Sequence, residues 1–397
     1  MNKRNLFSFV WLLALGTVSL PAQTKQAKKI GDFIESTSYN EHKRGAERTL
    51  QYYPEGDDFV CINGKNRFTR ALYGSWSPFR LETSDRPVFA AYDKRNSKHI
   101  RFLLQGRGLS VALDSIEFCE ARYTAGRRTY LLKDAALGKG TLSVSVLAFP
   151  DADGAVWKFS AKDLAEDMVL RCFISEIRAK KLSRNGDMGA DPPGCFEAPE
   201  KPQKQREYDL PLTDEAYLVL ENLDLKLVSL DEGRRLYQKA EDARKALASR
   251  IRFTTPDPYF NTLGGALAVA ADGIWDGQVW LHGAVGWRMP LSGWRAAYTG
   301  DALGWHDRAR KHFDAYAASQ VTDVPNMIPH PAQDSALHLA RSVKKWGTPQ
   351  YSNGYICRNP RRNNQMHHYD MNLCYIDELL WHFNWTCLLY TSDAADD

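Results

Sequence analysis

The segment Thr141–Phe149 reads TLSVSVLAF, and its apolar and polar residues alternate with a period of two. Such a stretch buries one face as a strand and cannot bury one face as a helix. It sits within a series of short segments of the same texture: Thr49–Tyr53, Phe59–Ile62, Arg67–Tyr73, Phe79–Leu81, Val88–Tyr92, Ile100–Leu104, Leu109–Leu113, Ser115–Tyr123, Arg128–Lys133, Ala155–Ser160 and Met168–Ile177. Gly, Pro, Asn and Asp separate them, and Asn63-Gly64 and Asp153-Gly154 lie as turn signals between apolar runs. Strands this short and this closely spaced predict an antiparallel β-sandwich. Arg178–Glu207, rich in Pro, Gly and charge, reads as a long loop, and Tyr217–Leu230 returns to strand texture.

The period then changes. Asp231–Arg250 carries acids early and bases late, as a helix dipole favours, and predicts a helix linking a β-domain to an α-domain. Thr255-Pro256-Asp257-Pro258 supplies a Thr cap and an early proline for a helix running over Tyr259–Ile274. Gly277–Gly286 is a glycine-rich loop. Further helices are expected over Gly293–Ser319, Asp334–Trp346 and Met371–Trp385, with Val321–Pro331 a proline-rich loop.

The first residues have the form of an export signal: Lys3 and Arg4, the apolar run Leu6–Val18, then Leu20-Pro21-Ala22. The run is shorter than the ~20 residues of a membrane span. No cysteine follows the cleavage region, and no other span is present, so a secreted, periplasmic protein is expected. The expected organisation is a signal peptide over 1–22, a linker over 23–45, a β-sandwich over 46–230, a linker helix over 231–252 and a helical domain over 253–386. Residues 387–397 (CLLYTSDAADD) break the helical pattern and read as the translation of a sequencing adapter, so the natural chain is expected to continue past Thr386. Half a helical toroid would leave a large apolar edge exposed.

Composition excludes several classes. Fifty-two basic residues against 48 acidic ones leave a formal charge of +4, with no basic run of the kind that binds nucleic acid. The seven cysteines form no CxxC pair, so neither a zinc ribbon nor a dense disulfide framework is supported. GxSxG, GxxxxGK[ST] and GxGxxG are absent, which removes serine-hydrolase and nucleotide-phosphate chemistry. No cofactor is implied.

One stretch points to a ligand class. Ala271–Asp307 packs five tryptophans, two histidines, two arginines and four aspartates into 37 residues, and eight of the chain's 11 tryptophans lie between Ala271 and Trp385. Indole faces cover the apolar face of a sugar ring, and Arg, His and Asp bond its hydroxyls, although tryptophans in a helical domain also build core. A carbohydrate partner is therefore expected.

A secreted β-sandwich, a linker helix and tryptophan-rich helices resemble the six-hairpin, (α/α)6-barrel glycosidases. The likeness is nearer to an uncharacterised secreted family of Bacteroidetes type with this architecture. It is carried by ERTLQYYPEGDDFVCINGKNRFTRALYG, GWRMPLSGWRAAYTGD and HHYDMNLCYIDELLWHFNWT. The resemblance implies a partial (α/α)6 barrel and glycoside hydrolysis of plant or host polysaccharide, often with inversion. Phosphorylases share that superfamily and polysaccharide lyases a related toroid, so the fold alone does not fix the reaction.

Glycoside hydrolysis needs two carboxyls, one protonated and one ionised. The candidates are Asp272, Asp276, Asp301, Asp370, Asp377 and Glu378. Asp276, between Trp275 and Gly277 where a helix opens into a loop, is the preferred general acid, because indole surface raises a carboxyl pKa. Glu378, in an apolar helix, is the second catalytic candidate, although the second carboxyl can equally lie beyond this chain. Asp272 is expected to cap its helix or pair with Arg288 or Arg295, and Asp301 to cap a turn. His282, Trp287, Arg288, Trp294, His367, His368 and Tyr369 are the expected substrate-binding residues, with Arg288 suited to a uronate carboxylate. His367, His368, Asp370 and His382 invite a metal reading, but adjacent histidines point apart on a helix and no HExxH accompanies them, so no metal is expected. Tyr369 beside His367 and His368 keeps a uronate-cleaving lyase open, and a binding protein without catalysis is the third reading.

Overall fold

Alternation requires two environments, and two sheets supply them. The computed structural model describes residues 28–30, 33–35, 51–65, 68–93, 96–106, 108–164, 168–177, 201–283, 288–290, 297–320, 333–334, 339–340, 356, 359–360 and 369–386. The expected export signal and the tail Cys387–Asp397 lie outside them. The first 50 residues form a unit of their own. Its described part is an antiparallel hairpin of β1 (Lys28–Ile30) and β2 (Phe33–Glu35).

The second unit spans Gln51–Asp397. It begins with β3 (Tyr53–Glu55), β4 (Asp58–Ile62), β5 (Phe68–Leu72), β6 (Arg80–Ser84), β7 (Phe89–Tyr92), β8 (Ser97–Gly106) and β9 (Leu109–Ala112). There follow β10 (Phe118–Thr124), β11 (Arg127–Lys133), β12 (Thr141–Ala148), β13 (Gly154–Lys162) and β14 (Val169–Ile177), then β15 (Gln203–Pro211), β16 (Glu215–Glu221) and β17 (Asp224–Leu227). One antiparallel sheet has the order β17-β16-β13-β12-β11-β10-β4-β3. The other has the order β15-β14-β8-β7-β6-β5, with β9 on β8.

The sheets pack face to face. Leu142, Val144 and Val146 of β12 are fully buried, and the residues between them are partly exposed. Across the gap, Phe89 meets Trp157 at 5.4 Å between ring centroids, and Phe102 meets Phe159 at 5.3 Å, both edge to face. Such pairs add roughly 0.5–1.5 kcal/mol each beyond the area they bury. Ion pairs are buried in the sandwich too, Arg80 with Glu82 on β6 and Arg128 with Asp85. Arg128, fully buried, donates to Asp85 Oδ1 at 2.9 Å, and Asp85 accepts from Thr69 Oγ1 at 2.6 Å and from the Tyr52 hydroxyl. Burial and that acceptor push the Tyr52 pKa up to about 12.

Strand β15 begins inside the stretch that its Pro, Gly and charge content marks as loop. Glu207 and Arg206 pair with Phe173 and Ile174 of β14, and the exposed side chains of an edge strand have no apolar alternation to betray it.

Helix α1 (Leu230–Ala248) starts on a Ser229 cap that accepts the Glu232 N–H at 3.3 Å, and it lies on the sandwich. The next helix is broken in two, α2 (Pro258–Asn261) and α3 (Leu263–Gly273). Its cap is Asp257 and not Thr255: Asp257 Oδ1 accepts from Tyr259 N at 2.8 Å with Pro258 behind it. The helix expected over Gly293–Ser319 is described as α4 (Ala297–Ala302) and α5 (His306–Ala317). Gly304 between them has φ +72°, a left-handed conformation that ends a helix and that glycine adopts without strain. Within Asp334–Trp346 the described residues form no helix: β18 (Gln333–Asp334) pairs with β19 (Leu339–Ala340). The last element is α6 (Tyr369–Thr386). Leu373, Ile376, Leu380, Trp381 and Trp385 are all more than half exposed on it, and no described helix is long and apolar enough to cross a membrane.

Candidate functional site

Trp275 and Trp280 are 1% exposed and Trp305 is 5% exposed, so these three tryptophans of the rich stretch are core. They pack with Ala309, Phe313 and Tyr316 of α5. Trp287 and Trp294 lie outside the described residues. An indole that solvent does reach comes from the sandwich: Trp76, 48% exposed, in the loop after β5. Asp153 holds that loop by accepting from the Ser75 hydroxyl at 2.6 Å and from Ser77. The sequence carried a signal for it, since an indole set between small turn-forming residues (Gly74-Ser75-Trp76-Ser77-Pro78) sits in a loop and not in a strand face.

The loop behind α3 meets Trp76. Asp276 opens it, with Oδ1 accepting the backbone N–H of Gln278 at 3.0 Å and of Val279 at 2.8 Å. Gly277 has φ +95°, and a Cβ there would stand 3.3 Å from Trp76 Cε3, so the turn and the close approach both call for glycine. Arg288 ties the loop down: Nη1 donates to Gly273 O at 3.1 Å and Nη2 to Trp76 O at 2.6 Å. Burial lowers the Arg288 pKa, and the field of Asp276 opposes that shift. Two donors that a uronate would need are thus given to main-chain carbonyls. His282 is half-buried, and its backbone N–H donates to Met289 O at 3.0 Å. Asp276, Arg288 and Trp76 are therefore brought together.

Of the roles expected for Asp272, neither a side-chain cap nor a bond to Arg288 is among its described contacts, and Arg295 lies outside the described residues. Asp272 Oδ1 accepts from Arg308 Nη1 of α5 at 2.7 Å. The Arg308 guanidinium lies 4.3 Å from the ring centroid of Trp305, 5.3 Å from Trp76 and 5.7 Å from Trp275. One cation thus gathers three indoles, an arrangement that the ring quadrupole favours. The residues around it enclose a cleft of about 290 Å³, lined by Tyr73 and Trp76, by Arg244 and Arg250 of α1 and its end, and by Asp272, Trp305 and Arg308.

A second polar group lies deeper. Asp301, expected to cap a turn, is 6% exposed in α4, and its described side-chain contacts are two histidines. His382 Nδ1 of α6 lies 2.9 Å from both its oxygens, and His306 Nδ1 lies 2.7 Å from Oδ1. Glu378 is 2% exposed and precedes His382 by four residues, on the same face of α6. Asp377, one residue earlier, accepts from the Tyr298 hydroxyl, whose pKa that bond pushes up to about 12. Asp276 and Glu378 thus belong to different settings, a solvent-facing loop and a buried helix face. Tyr369 heads α6, and its side chain, like His367 and His368, lies outside the described residues. His312 is fully buried; its Nδ1 accepts the Trp280 backbone N–H at 3.1 Å, and burial lowers its pKa to about 3. Among the described residues no group of three or more His, Cys, Asp or Glu is arranged to hold a metal ion.

No curated protein matches the chain in sequence. Among solved structures it is similar to a bacterial glucoamylase complexed with acarbose, at 8% identity and a TM-score of 0.37. The likeness covers 66% of this chain, and the chain spans 55% of that structure's length. Residues 96–231, from the start of β8 to the first turn of α1, match the family model described as "Domain of unknown function (DUF4450)".

Proposed function

We propose that this chain is the sandwich and the opening helices of a secreted, periplasmic enzyme that hydrolyses glycosidic bonds in plant or host polysaccharide, with a helical domain of the (α/α)6 type. The observation that supports this reading is the half-exposed Trp76 indole set against the Asp276-Gly277 turn, with Arg288 and the Arg308–Asp272 pair behind it. An apolar plate beside a carboxylate is what a sugar ring and its glycosidic oxygen require. In this reading Asp276 and Glu378 are the candidate catalytic carboxyls, with the acid role expected for Asp276 set against the two N–H bonds that favour its ionised form.

The test is the full-length gene product on a panel of polysaccharides, with Asp276→Asn, Glu378→Gln and Trp76→Ala beside it. Release of reducing sugar by the wild type, lost in Asp276→Asn with the fold intact, is the expected result. Activity that survives in both carboxylate variants removes them from the chemistry and leaves the glycan reading standing. A product that absorbs in the ultraviolet identifies an unsaturated uronide and a lyase. Glycan binding without turnover identifies a binding protein.

A further inference from the structure

We propose that the cleft between the Tyr73–Trp76 loop, the end of α1 and α5 is a subsite for an acidic sugar residue, a uronate whose ring lies on Trp76 and whose carboxylate is taken by Arg250. The proposal rests on the glycan reading above and adds the charge of the sugar.

Three arginines line the cleft against one acid, Asp272. Two of the three engage a carboxylate, Arg244 sharing its own with Arg127. Arg244 holds Glu241 through two bonds, Nε to Oε2 and Nη2 to Oε1, each 2.7 Å. Arg308 holds Asp272 at 2.7 Å. Arg250 meets no carboxylate among the described residues. Its Nη1 donates to Leu303 O at 2.9 Å, its guanidinium lies 5.0 Å from the Trp305 ring centroid, and the side chain remains exposed. A guanidinium has five N–H donors, so the far side of this fork keeps donors for a ligand. The stacking on Trp305 and the bond to Leu303 hold the fork in one place, which lowers the entropy lost on binding.

The sign of the ligand follows. The hydroxyls of a neutral sugar both donate and accept, and they are best served by a lining that does both. Here the one acidic acceptor is engaged by Arg308, and the uncompensated group is a cation. That lining favours an acceptor-only, anionic group, and a planar carboxylate matches the planar fork better than a tetrahedral sulfate. The volume, about 290 Å³, is at the small end of ligand pockets and suits a sugar residue rather than a folded partner. Trp76 supplies the apolar plate, since it is the exposed indole of the lining and Trp305 is buried between cations.

The test is calorimetric titration of the full-length protein with uronate trimers (galacturonate, mannuronate, glucuronate), with their carboxyl-reduced neutral counterparts, and with a sulfated galactan oligosaccharide. At least one acidic trimer is expected to bind about tenfold or more tightly than its reduced form, the worth of a charge-assisted bond. Arg250→Gln should bring the ratio of acidic to reduced affinity to about one, and Arg250→Lys, which keeps charge and loses the fork, should restore part of the preference. The thermal midpoint of each variant reports that the fold persists. Equal affinity for acidic and reduced trimers, or an acid preference untouched in Arg250→Gln, overturns the proposal and leaves the glycan reading intact. Binding of the sulfated oligosaccharide without any uronate overturns the carboxylate assignment. Failure to bind any glycan overturns both readings.

Discussion

His382 Nδ1 lies 2.9 Å from each carboxylate oxygen of Asp301, across 81 residues of sequence, and both groups are nearly sealed from solvent. Asp301→Asn exchanges the carboxylate that His382 contacts for a neutral amide and is expected to cost about 2 kcal/mol, the scale of a hydrogen bond to a charged group. Urea unfolding of the full-length protein measures it, and a loss below about 1 kcal/mol would show that the contact does not hold α4 against α6.

Arg308 and Asp272 test the clasp under the cleft. Arg308→Met should lose about 2 kcal/mol, the scale of a hydrogen bond to a charged group. Asp272→Asn should lose a similar amount, and the double variant little more than either, because the residues act as one unit. Fully additive losses in the double-mutant cycle would contradict the pairing.

Gly233→Ala sets two effects against each other. Alanine is the better helix former by about 1 kcal/mol. Here, however, a Cβ would stand 2.3 Å from Tyr217 Cγ, where α1 lies on β16, and overpacking of this kind costs about 1–3 kcal/mol. The clash should win, with a net loss of about 1 kcal/mol in the unfolding free energy. A stabilised variant would mean that α1 sits farther from the sheet.

The pH dependence is set by buried imidazoles. His312 stays neutral in the fold down to about pH 3, and His99, buried with Arg101 nearby, down to about 4. In the unfolded chain both titrate near 6.5. Below that value the unfolded chain takes up protons that the folded one refuses. Their stabilising contribution is therefore full above pH 6.5 and is lost as the pH falls toward the folded values, by about 1.4 kcal/mol per unit for each histidine. The difference in urea midpoints between the wild type and a His312 variant from about pH 6.5 to 5 isolates the effect. His312→Gln should flatten the slope by about one histidine's share. A slope unchanged in that variant would place His312 in contact with water.

Much of the β-half was legible because its signal is local. Strands β10, β11 and β12 each carry their own alternation, and Ser229 with Asp231 and Glu232 marks the start of α1. Local signals also failed in informative ways. The edge strand β15 buries only Leu210 fully, late in its run, so its first residues write no apolar face into the sequence, and the break at Gly304 needed a backbone angle that composition does not reveal. At the site, the density of indoles was visible, but burial divides them. Trp275, Trp280 and Trp305 went into the core, and the exposed plate came from Trp76, some 200 positions away from Arg288. Partners such as Arg308 for Asp272 and His382 for Asp301 are fixed by helix packing, which no spacing in the chain encodes.

The bond from Arg288 to the Trp76 carbonyl has a consequence for what holds the molecule together. Arg250 reaches Leu303 from the end of α1, and Tyr73 lies under Gly273 so closely that a Cβ there would overlap its ring. The halves are therefore stitched side to side as well as end to end. A protease that nicked the exposed peptide at Thr254–Pro256 would cut the covalent thread and leave one particle, its two pieces co-migrating until denaturant parts them.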